Sequence, residues 1–301
     1  MGFAIRRLDA ATGPAPGDPV VVFSRAQGSI DSMSMLRRSL LFAELSEICY
    51  LSRAEAGMLA NRMGMPEIRF YSNNGAQAYI FGNDHDAVVV CRGTEPHEWN
   101  DIRADLRLAL VKADTAGRVH LGFKQEVDDL WPRLEQALVN NTRPVWFTGH
   151  SLGGAMATIC AGRCKLSTIR SDPRALFTFG SPRVGDRRFV HYVNIETYRW
   201  VNNNDIVTRV PPPWMGYRHK GQEIYLDSNG EIRRLTAWQR MKDRWRGFVR
   251  GLALGEIDQF TDHSIARYVE YILRAAEEEE SVASILKFRG PQELASQRRA
   301  A

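Results

Sequence analysis

One serine in the sequence lies between two glycines, at the point where an apolar run meets a run of small residues. In VWFTGHSLGGAMATICAG, residues 145–162, Gly149 and Gly153 flank Ser151. The apolar run is typical of a buried strand and the small residues of a helix, so G-x-S-x-G would form a sharp strand-to-helix turn. Glycines there let the strand and the helix approach without Cβ clashes. The pattern predicts a nucleophile; the alternative is a tight loop without chemistry.

The groups beside Ser151 indicate which reaction such a serine would perform. The helix that follows directs its first N–H groups and the positive end of its dipole toward the serine oxygen. Negative charge develops there during acyl transfer, and N–H donors stabilise it. The side chain of His150 leaves the turn in a different direction, so we expect it to line or pack the site and not to act as the base.

A serine nucleophile needs a general base, and histidine is the usual one. In sites of this type the acid and then the base follow the serine along the chain. The histidines after Ser151 are His191, His219 and His263. His191 fits a helix face and His219 a structural position before a strand. His263, in FTDHSIARYVEY, stands where a loop meets a late helix, and we predict that it is the base.

The orienting acid is sought between the serine and the base. Asp205, in YRWVNNNDIVTRVPP, directly follows a predicted strand and precedes a proline-rich loop. Asp172 and Asp186 come too early, and Asp227 belongs to a predicted turn. Asp262 stands next to the predicted base, where we expect it to cap the last helix. The acid is therefore predicted to be Asp205.

The elements that position these residues follow from the periodicity of apolar residues. Residues 35–64 are predicted to be helical. Three β-rich runs follow, and Asn-Asn-Gly between the first two predicts a hairpin. After residue 86 strands alternate with helices, which indicates parallel pairing with right-handed crossovers. The prediction is an α/β fold with a mixed, mostly parallel central sheet flanked by helices and antiparallel strands at one edge.

Seven segments of the chain occur in an order that characterises one family. They are VVVCRGTEPHEWNDIRADL, VHLGF, FTGHSLGGAMA, FTFGSPRVGD, RWVNNNDIVTRVPP, YRHKGQEIYL and DHSIARYV. Over residues 40–275 the chain resembles the class 3 lipases, the fungal-lipase-like α/β hydrolases. The resemblance implies the α/β-hydrolase fold and the catalytic triad Ser151, Asp205 and His263. It also implies that Thr94 and Leu152 supply the oxyanion N–H groups, the alternative for Thr94 being a turn residue without that role.

The segment after Thr94 corresponds to the lid of that family. EPHEWNDIRADL places Trp99 and Ile102 among charged and polar residues. Such a mixture suits a segment that covers the serine in water and lays its apolar side on lipid. An ordinary amphipathic surface helix explains the same residues, and both interpretations stay open.

Residues 228–260 depart from the family pattern as a basic insertion. Within 233–250 seven basic residues stand against one acid. Trp238, Trp245 and Phe248 recur at helical spacing, while arginines such as Arg240 and Arg244 project elsewhere. An amphipathic helix of this kind suits an anionic membrane surface or a partner. A helix packed on the core, or a dimer contact with solvated arginines, is the alternative.

Bulk composition sets the remaining expectations. At 301 residues and 44% apolar composition the chain can bury one large core. The domains are predicted as an irregular segment 1–33, a hydrolase domain 34–275 that includes the insertion, and a tail 276–301. Without a secretory signal or an apolar run that could span a bilayer, we expect a bacterial-type intracellular protein that is at most peripheral to a membrane. Four cysteines do not make a disulfide framework.

The residues and the resemblance together imply a serine carboxylic-ester hydrolase, a lipase or esterase that acts on acylglycerols through an acyl-enzyme. Neither a metal nor an organic cofactor is implied, and no motif supports nucleic-acid binding. One alternative is a phospholipase A1 or galactolipase that acts at membranes. A catalytically silent membrane-binding module is another, and a serine peptidase or a small-ester esterase is the third.

Overall fold

The computed structural model describes residues 20–93, 109–167, 169–170, 172–233, 239 and 261–288. Several predicted positions lie outside these residues, and they are Thr94, Trp99, Ile102, Trp238, Arg240, Arg244, Trp245 and Phe248.

Two helices precede the sheet, α1 (Met35–Ile48) and α2 (Arg53–Arg62). The helical stretch predicted over 35–64 is therefore interrupted at 49–52. The cause is Ser52, whose side chain accepts the backbone N–H of Glu55 while the Glu55 side chain accepts the N–H of Ser52. This capping box starts a new helix where periodicity alone suggested continuation.

The main sheet has the strand order β1-β2-β3-β6-β7-β9-β11-β12. These strands are β1 (Glu67–Asn73), β2 (Ala76–Gly82), β3 (Ala87–Cys91), β6 (Val145–His150), β7 (Pro173–Phe179), β9 (Thr197–Asn202), β11 (Gln222–Leu226) and β12 (Ile232–Arg233). Neighbours from β3 to β11 pair parallel, whereas β1, β2 and β12 pair antiparallel. The predicted mixed sheet and its hairpin are confirmed, with antiparallel strands at both edges instead of one.

A smaller sheet lies beside the first, with the order β10-β8-β5-β4. Its strands are short, and they are β4 (Leu110–Lys112), β5 (Arg118–His120), β8 (Gly185–Asp186) and β10 (Tyr217–Arg218). The sequence analysis did not predict this sheet, because runs of two or three residues carry no readable alternation of apolar and polar positions.

Helices cover both faces of the main sheet. They are α3 (Leu121–Leu138), α4 (Leu152–Cys164), α5 (Arg187–Tyr192) and α6 (Ile265–Phe288). Ile80 and Val89 face the core under α3 and α4, whereas their neighbours Phe81 and Val88 face the core under α1 and α6. All four of these side chains are buried because successive residues of a central strand point to opposite covered faces.

Helix α6 continues past the end expected from the sequence. The predicted boundary between domain and tail at 275 falls inside α6, which runs to Phe288. Ser34 Oγ donates to Glu279 Oε2 at 2.6 Å, and Arg37 Nε donates to Glu280 Oε1 at 2.6 Å. These contacts with the start of α1 support the acidic end of the helix, which looks like a solvated tail in the sequence.

Among the described residues, no helix is both long enough and apolar enough to cross a bilayer. All four cysteines of the chain lie in the described part, and none of them forms a disulfide there.

The segment before α1 is held by a buried carboxylate. Residues 20–29 have no regular structure, but Glu44 on α1 accepts the backbone N–H groups of Phe23 at 2.6 Å and Ser24 at 3.0 Å. Glu44 has no exposed surface. Burial raises the pKa of Glu44 to about 7, although these hydrogen bonds act in the opposite direction.

The raised pKa of Glu44 makes stability depend on pH. Because the folded protein holds this proton more tightly, its contribution is fully present below about pH 4.5 and is lost as the pH rises through 7. In Glu44→Gln this dependence should be absent. We expect the difference in unfolding free energy between wild type and variant to change by roughly 3 kcal/mol over that window, measured by urea denaturation.

The control for this prediction is Glu278→Gln, which changes an exposed carboxyl on α6. Its stability should follow the wild-type pH curve. Parallel curves for wild type and Glu44→Gln would contradict the predicted linkage.

Candidate active site

Ser151 stands on a strained turn between β6 and α4. Its backbone has φ 57° and ψ −130°, a conformation that side-chain-bearing residues seldom adopt. The N–H of Ser151 donates to the carbonyl of Phe179 at 2.9 Å, which ties the turn to the end of β7. A Cβ added at Gly153 would lie 2.1 Å from the Cys91 carbonyl oxygen, and one at Gly149 would lie 2.4 Å from the Gly153 carbonyl. The two glycines therefore allow the close approach that their pattern predicted.

The parallel strands bring three predicted residues to one edge of the main sheet. Ser151 follows β6, Asp205 follows β9, and His263 reaches the same edge from the turn before α6. His263 Nε2 lies 2.8 Å from Ser151 Oγ, and His263 Nδ1 lies 3.0 Å from each carboxylate oxygen of Asp205. All three side chains are at most 1% exposed. If Nδ1–H donates to Asp205, Nε2 is the acceptor for the serine proton.

Asp205 is a buried carboxylate surrounded by donors. Its Oδ1 accepts the N–H of Val207 at 2.9 Å, and its Oδ2 accepts the hydroxyl of Tyr268 at 2.7 Å. The Tyr268 oxygen in turn accepts the N–H of Asn202 at 3.0 Å. Burial, together with the Asp205 charge, raises the pKa of Tyr268 well above its usual value, so the phenol stays a donor. These bonds satisfy the carboxylate and fix its direction.

His150 is hydrogen-bonded to the backbone of His263. Its Nε2 lies 2.6 Å from the backbone carbonyl of His263, and its Nδ1 lies 3.1 Å from the hydroxyl of Tyr50. Burial and, to a lesser extent, nearby His263 lower the pKa of His150 well below its usual value. In the neutral ring Nε2–H donates to the carbonyl, and Nδ1 accepts from Tyr50. His150 therefore fixes the backbone from which His263 projects.

The expected role of Asp262 as a helix cap is wrong. Its Oδ2 accepts the N–H of Asn204 at 3.2 Å, and its carbonyl accepts from the Asn202 side chain at 2.9 Å. Asp262 thus joins the turn that carries His263 to the loop that carries Asp205. The prediction considered only neighbouring residues, whereas the Asp262 carboxylate accepts from Asn204, which follows the distant strand β9.

Gly180, at the end of β7, is a site residue that the sequence analysis missed. It has φ 61°, and a Cβ there would lie 2.7 Å from Asp205 Oδ2 and 2.9 Å from His263 Nδ1. A side chain would therefore displace Asp205 and His263 from each other. The available signal was a lone glycine between ALFTF and SPRVGD, at the same sheet edge as Ser151.

Leu152 is the predicted oxyanion donor that the structure describes. It is the first residue of α4, so its N–H is among those without a partner inside the helix. Gly93 also adjoins the turn, since a Cβ there would lie 2.6 Å from the His150 carbonyl oxygen. The other predicted donor, Thr94, and the predicted lid residues Trp99 and Ile102 lie outside the described residues. Within the described ranges no cluster of His, Cys, Asp or Glu could hold a metal ion.

Residues 88–215 match the family described as lipase (class 3). A secreted mono- and diacylglycerol lipase from Fusarium solani is 39% identical over 119 residues, which cover 36% of this chain and 34% of that protein. A lipase from Rhizopus niveus is 39% identical over 162 residues, which cover 50% of this chain and 41% of that protein. The match to this chain thus spans less than half the length of these relatives.

The fold is similar to that of a solved triacylglycerol lipase whose catalytic centre is formed by a serine protease triad. The TM-score is 0.55 at 26% identity, and the match covers 65% of this chain and 82% of the other. The predicted α/β-hydrolase fold is confirmed by this match together with the strand order.

Tyr268→Phe tests whether the phenol sets the reactivity of Ser151. Removing the hydroxyl deprives Asp205 of a charge-assisted hydrogen bond, so the carboxylate holds His263 less firmly. We expect the rate at which a fluorophosphonate labels Ser151 to fall roughly tenfold while circular dichroism stays unchanged.

Tyr271→Phe is the matched control, because this phenol lies on the same helix and contacts Arg267 at 3.4 Å instead of the acid. Equal labelling rates in wild type and Tyr268→Phe would contradict the assignment.

Proposed function

We propose that this chain, whose residues 88–215 match the class 3 lipase family, is a serine carboxylic-ester hydrolase that cleaves acylglycerols. The observation that carries the proposal is the hydrogen-bonded line from Ser151 Oγ through His263 to Asp205. Relatives named as a mono- and diacylglycerol lipase and as a lipase support the substrate class.

In the proposed acylation, Ser151 Oγ attacks the acyl carbon of the ester while His263 Nε2 takes its proton. Asp205 keeps Nδ1 protonated and stabilises the imidazolium that forms. The backbone N–H of Leu152 and that of Thr94 donate to the oxyanion of the tetrahedral intermediate. Each donor contributes about 3 kcal/mol to the transition state, which corresponds to roughly a hundredfold in rate.

In the second half of the reaction His263 acts as acid, then as base, and finally as acid again. It donates its proton to the leaving alcohol, which departs and leaves the acyl group on Ser151. Water then attacks the acyl-enzyme while His263 Nε2 accepts a proton from it. His263 returns this proton to Ser151 Oγ as the bond to the acyl carbon breaks, and the fatty acid is released. His263 handles every proton transfer in this scheme, so the scheme uses neither a metal nor an organic cofactor.

In this scheme the strained backbone at Ser151 positions the attacking hydroxyl. The turn keeps the hydroxyl at the start of α4, where the helix dipole meets developing negative charge. The line of three occupied and hydrogen-bonded positions also favours an enzyme over a catalytically silent module.

Location and membrane contact are finer parts of the proposal. We propose a cytoplasmic protein that associates peripherally with an anionic membrane surface. The seven basic residues within 233–250 support this contact.

Ser151→Ala tests the nucleophile. We expect it to abolish fluorophosphonate labelling and the hydrolysis of p-nitrophenyl esters, because no other group supplies the attacking oxygen, while the unfolding midpoint stays near the wild-type value. Ser167→Ala is the control, since this serine lies beyond the far end of α4 and donates to Cys164. Labelling that persists in Ser151→Ala would refute the assignment.

A lipid panel tests the substrate class. Triacylglycerol, diacylglycerol, phosphatidylcholine and galactolipid are offered at equal surface density, and released fatty acid is titrated. We expect the acylglycerols to be cleaved fastest. Preference for phosphatidylcholine or galactolipid would favour a phospholipase A1 or galactolipase instead. An absence of hydrolysis by a protein that still labels at Ser151 would contradict the proposed activity.

A further inference from the structure

A proline-rich loop carries the most exposed large apolar side chain of the described residues. Trp214 is 85% exposed, and its neighbour Met215 is 38% exposed. Exposing a tryptophan side chain to water is unfavourable in free energy, because its large apolar ring system stays in contact with solvent. No sequence motif assigned above accounts for this position.

The loop lies at the sheet edge that carries the candidate active site. It follows Asp205, and the segment after β7 holds it in place. The backbone N–H of Arg183 donates to the Val210 carbonyl at 2.8 Å, and Arg183 Nη1 donates to the Pro211 carbonyl at 3.0 Å. Gly180, which contacts the acid and the base, begins that same segment. Trp214 therefore projects from a part of the chain anchored beside the triad.

Prolines and hydrogen bonds constrain the backbone of the loop that carries Trp214. Three consecutive prolines precede the tryptophan, and Pro213–Met215 forms a turn of 3-10 helix. The N–H of Met215 donates to the Pro212 carbonyl at 3.1 Å, and Arg218 Nη1 donates to the Pro213 carbonyl at 2.7 Å. A preformed loop loses little conformational entropy when its tip is buried by a ligand or surface.

The charged residues of the segment that carries Trp214 are all basic. Residues 206–222 contain no aspartate or glutamate, whereas they contain Arg209, Arg218 and Lys220. Arg218 is exposed, and the other two are partly exposed. Burial lowers the pKa of nearby His219 well below its usual value, so this ring adds no charge at neutral pH. The first acid beyond the loop, Glu223, is bound to Arg199 at 2.6 Å.

An exposed indole on a cationic, rigid loop suits a lipid surface better than a protein partner. The indole can enter the headgroup region with its N–H directed to water, while neighbouring basic groups meet anionic headgroups. A stable protein interface needs an apolar core larger than one tryptophan and one methionine.

We propose that Trp214 and the cations Arg209, Arg218 and Lys220 dock the protein on an anionic lipid surface, with the edge carrying Ser151 toward that surface. The docking deepens the proposed function, on which its purpose rests, by stating which surface of the enzyme meets lipid. None of these four residues belongs to the insertion 228–260 in the sequence.

Vesicle binding by the full chain tests the docking. Co-sedimentation is measured with phosphatidylcholine vesicles that contain phosphatidylglycerol and with pure phosphatidylcholine vesicles. Trp214→Ala should lower the partition coefficient on the anionic vesicles about tenfold or more, because an indole no longer enters the interface. Trp214→Phe should retain most of the binding.

The matched control is Leu166→Ala. Leu166 is 57% exposed but follows the C-terminal end of α4, whereas Ser151 precedes its N-terminal end. Its variant should bind like wild type. Equal binding by Trp214→Ala and wild type would overturn the proposal, as would self-association through Trp214 in sedimentation velocity without lipid.

A separate variant tests the contribution of the basic residues to docking. Lys220→Gln should lower binding to anionic vesicles about fivefold and leave binding to pure phosphatidylcholine unchanged. Lys220→Arg keeps the charge and should restore the binding. An equal loss on both vesicle types would overturn the electrostatic part.

Hydrolysis assays separate docking from catalysis. Trp214→Ala should cleave a soluble p-nitrophenyl ester at the wild-type rate, yet cleave esters presented in anionic vesicles at a rate reduced in proportion to its binding. A loss of equal size on both substrates would overturn the docking role. If wild type binds through Trp214 but cleaves no ester, the proposed function fails while the docking stands.

Discussion

The burial of the Asp205 carboxylate is the constraint on which the rest of the site depends. A charge without solvent needs donors on each oxygen, and they come from three places: its own loop at Val207, the turn at His263 and helix α6 at Tyr268. The bond that satisfies the carboxylate is thus the same bond that orients the imidazole. Gly180 is needed for the same reason, because a side chain there would occupy the space of this pair.

A second layer of contacts fixes the elements that carry these groups. Asp262 joins the turn of His263 to the loop of Asp205, and His150 contacts the carbonyl of His263. Ser151 is bound through its N–H to the end of β7. Each of the three polar groups is therefore set by a backbone that at least one neighbouring element holds in position, so little rearrangement is needed before proton transfer.

Features that depend on local patterns and on the order of the elements could be predicted from the sequence. Ser151 followed from a strand, a glycine-flanked serine and a helix, and the mixed sheet followed from alternating strands and helices. Tyr268, Gly180 and the partners of His150 were missed, because their roles arise where distant segments meet. The break at Ser52 and the extension of α6 were missed for related reasons: a capping box overrode periodicity in one, and contacts with α1 supported an acidic end in the other.

One loop connects the proposed catalytic acid with the proposed lipid-docking residue. Asp205 begins it and Trp214 is near its end, and between them Thr208 Oγ1 donates to the Asp205 carbonyl at 2.9 Å while Arg183 binds the Pro211 carbonyl. Because these hydrogen bonds constrain the loop, they also set the orientation of Ser151, His263 and Asp205 relative to a lipid surface bound by Trp214. Docking through Trp214 then presents the ester to Ser151 in a restricted range of orientations. This contributes to catalysis by positioning the substrate, and it leaves the hydrogen bond between Asp205 and His263 unchanged.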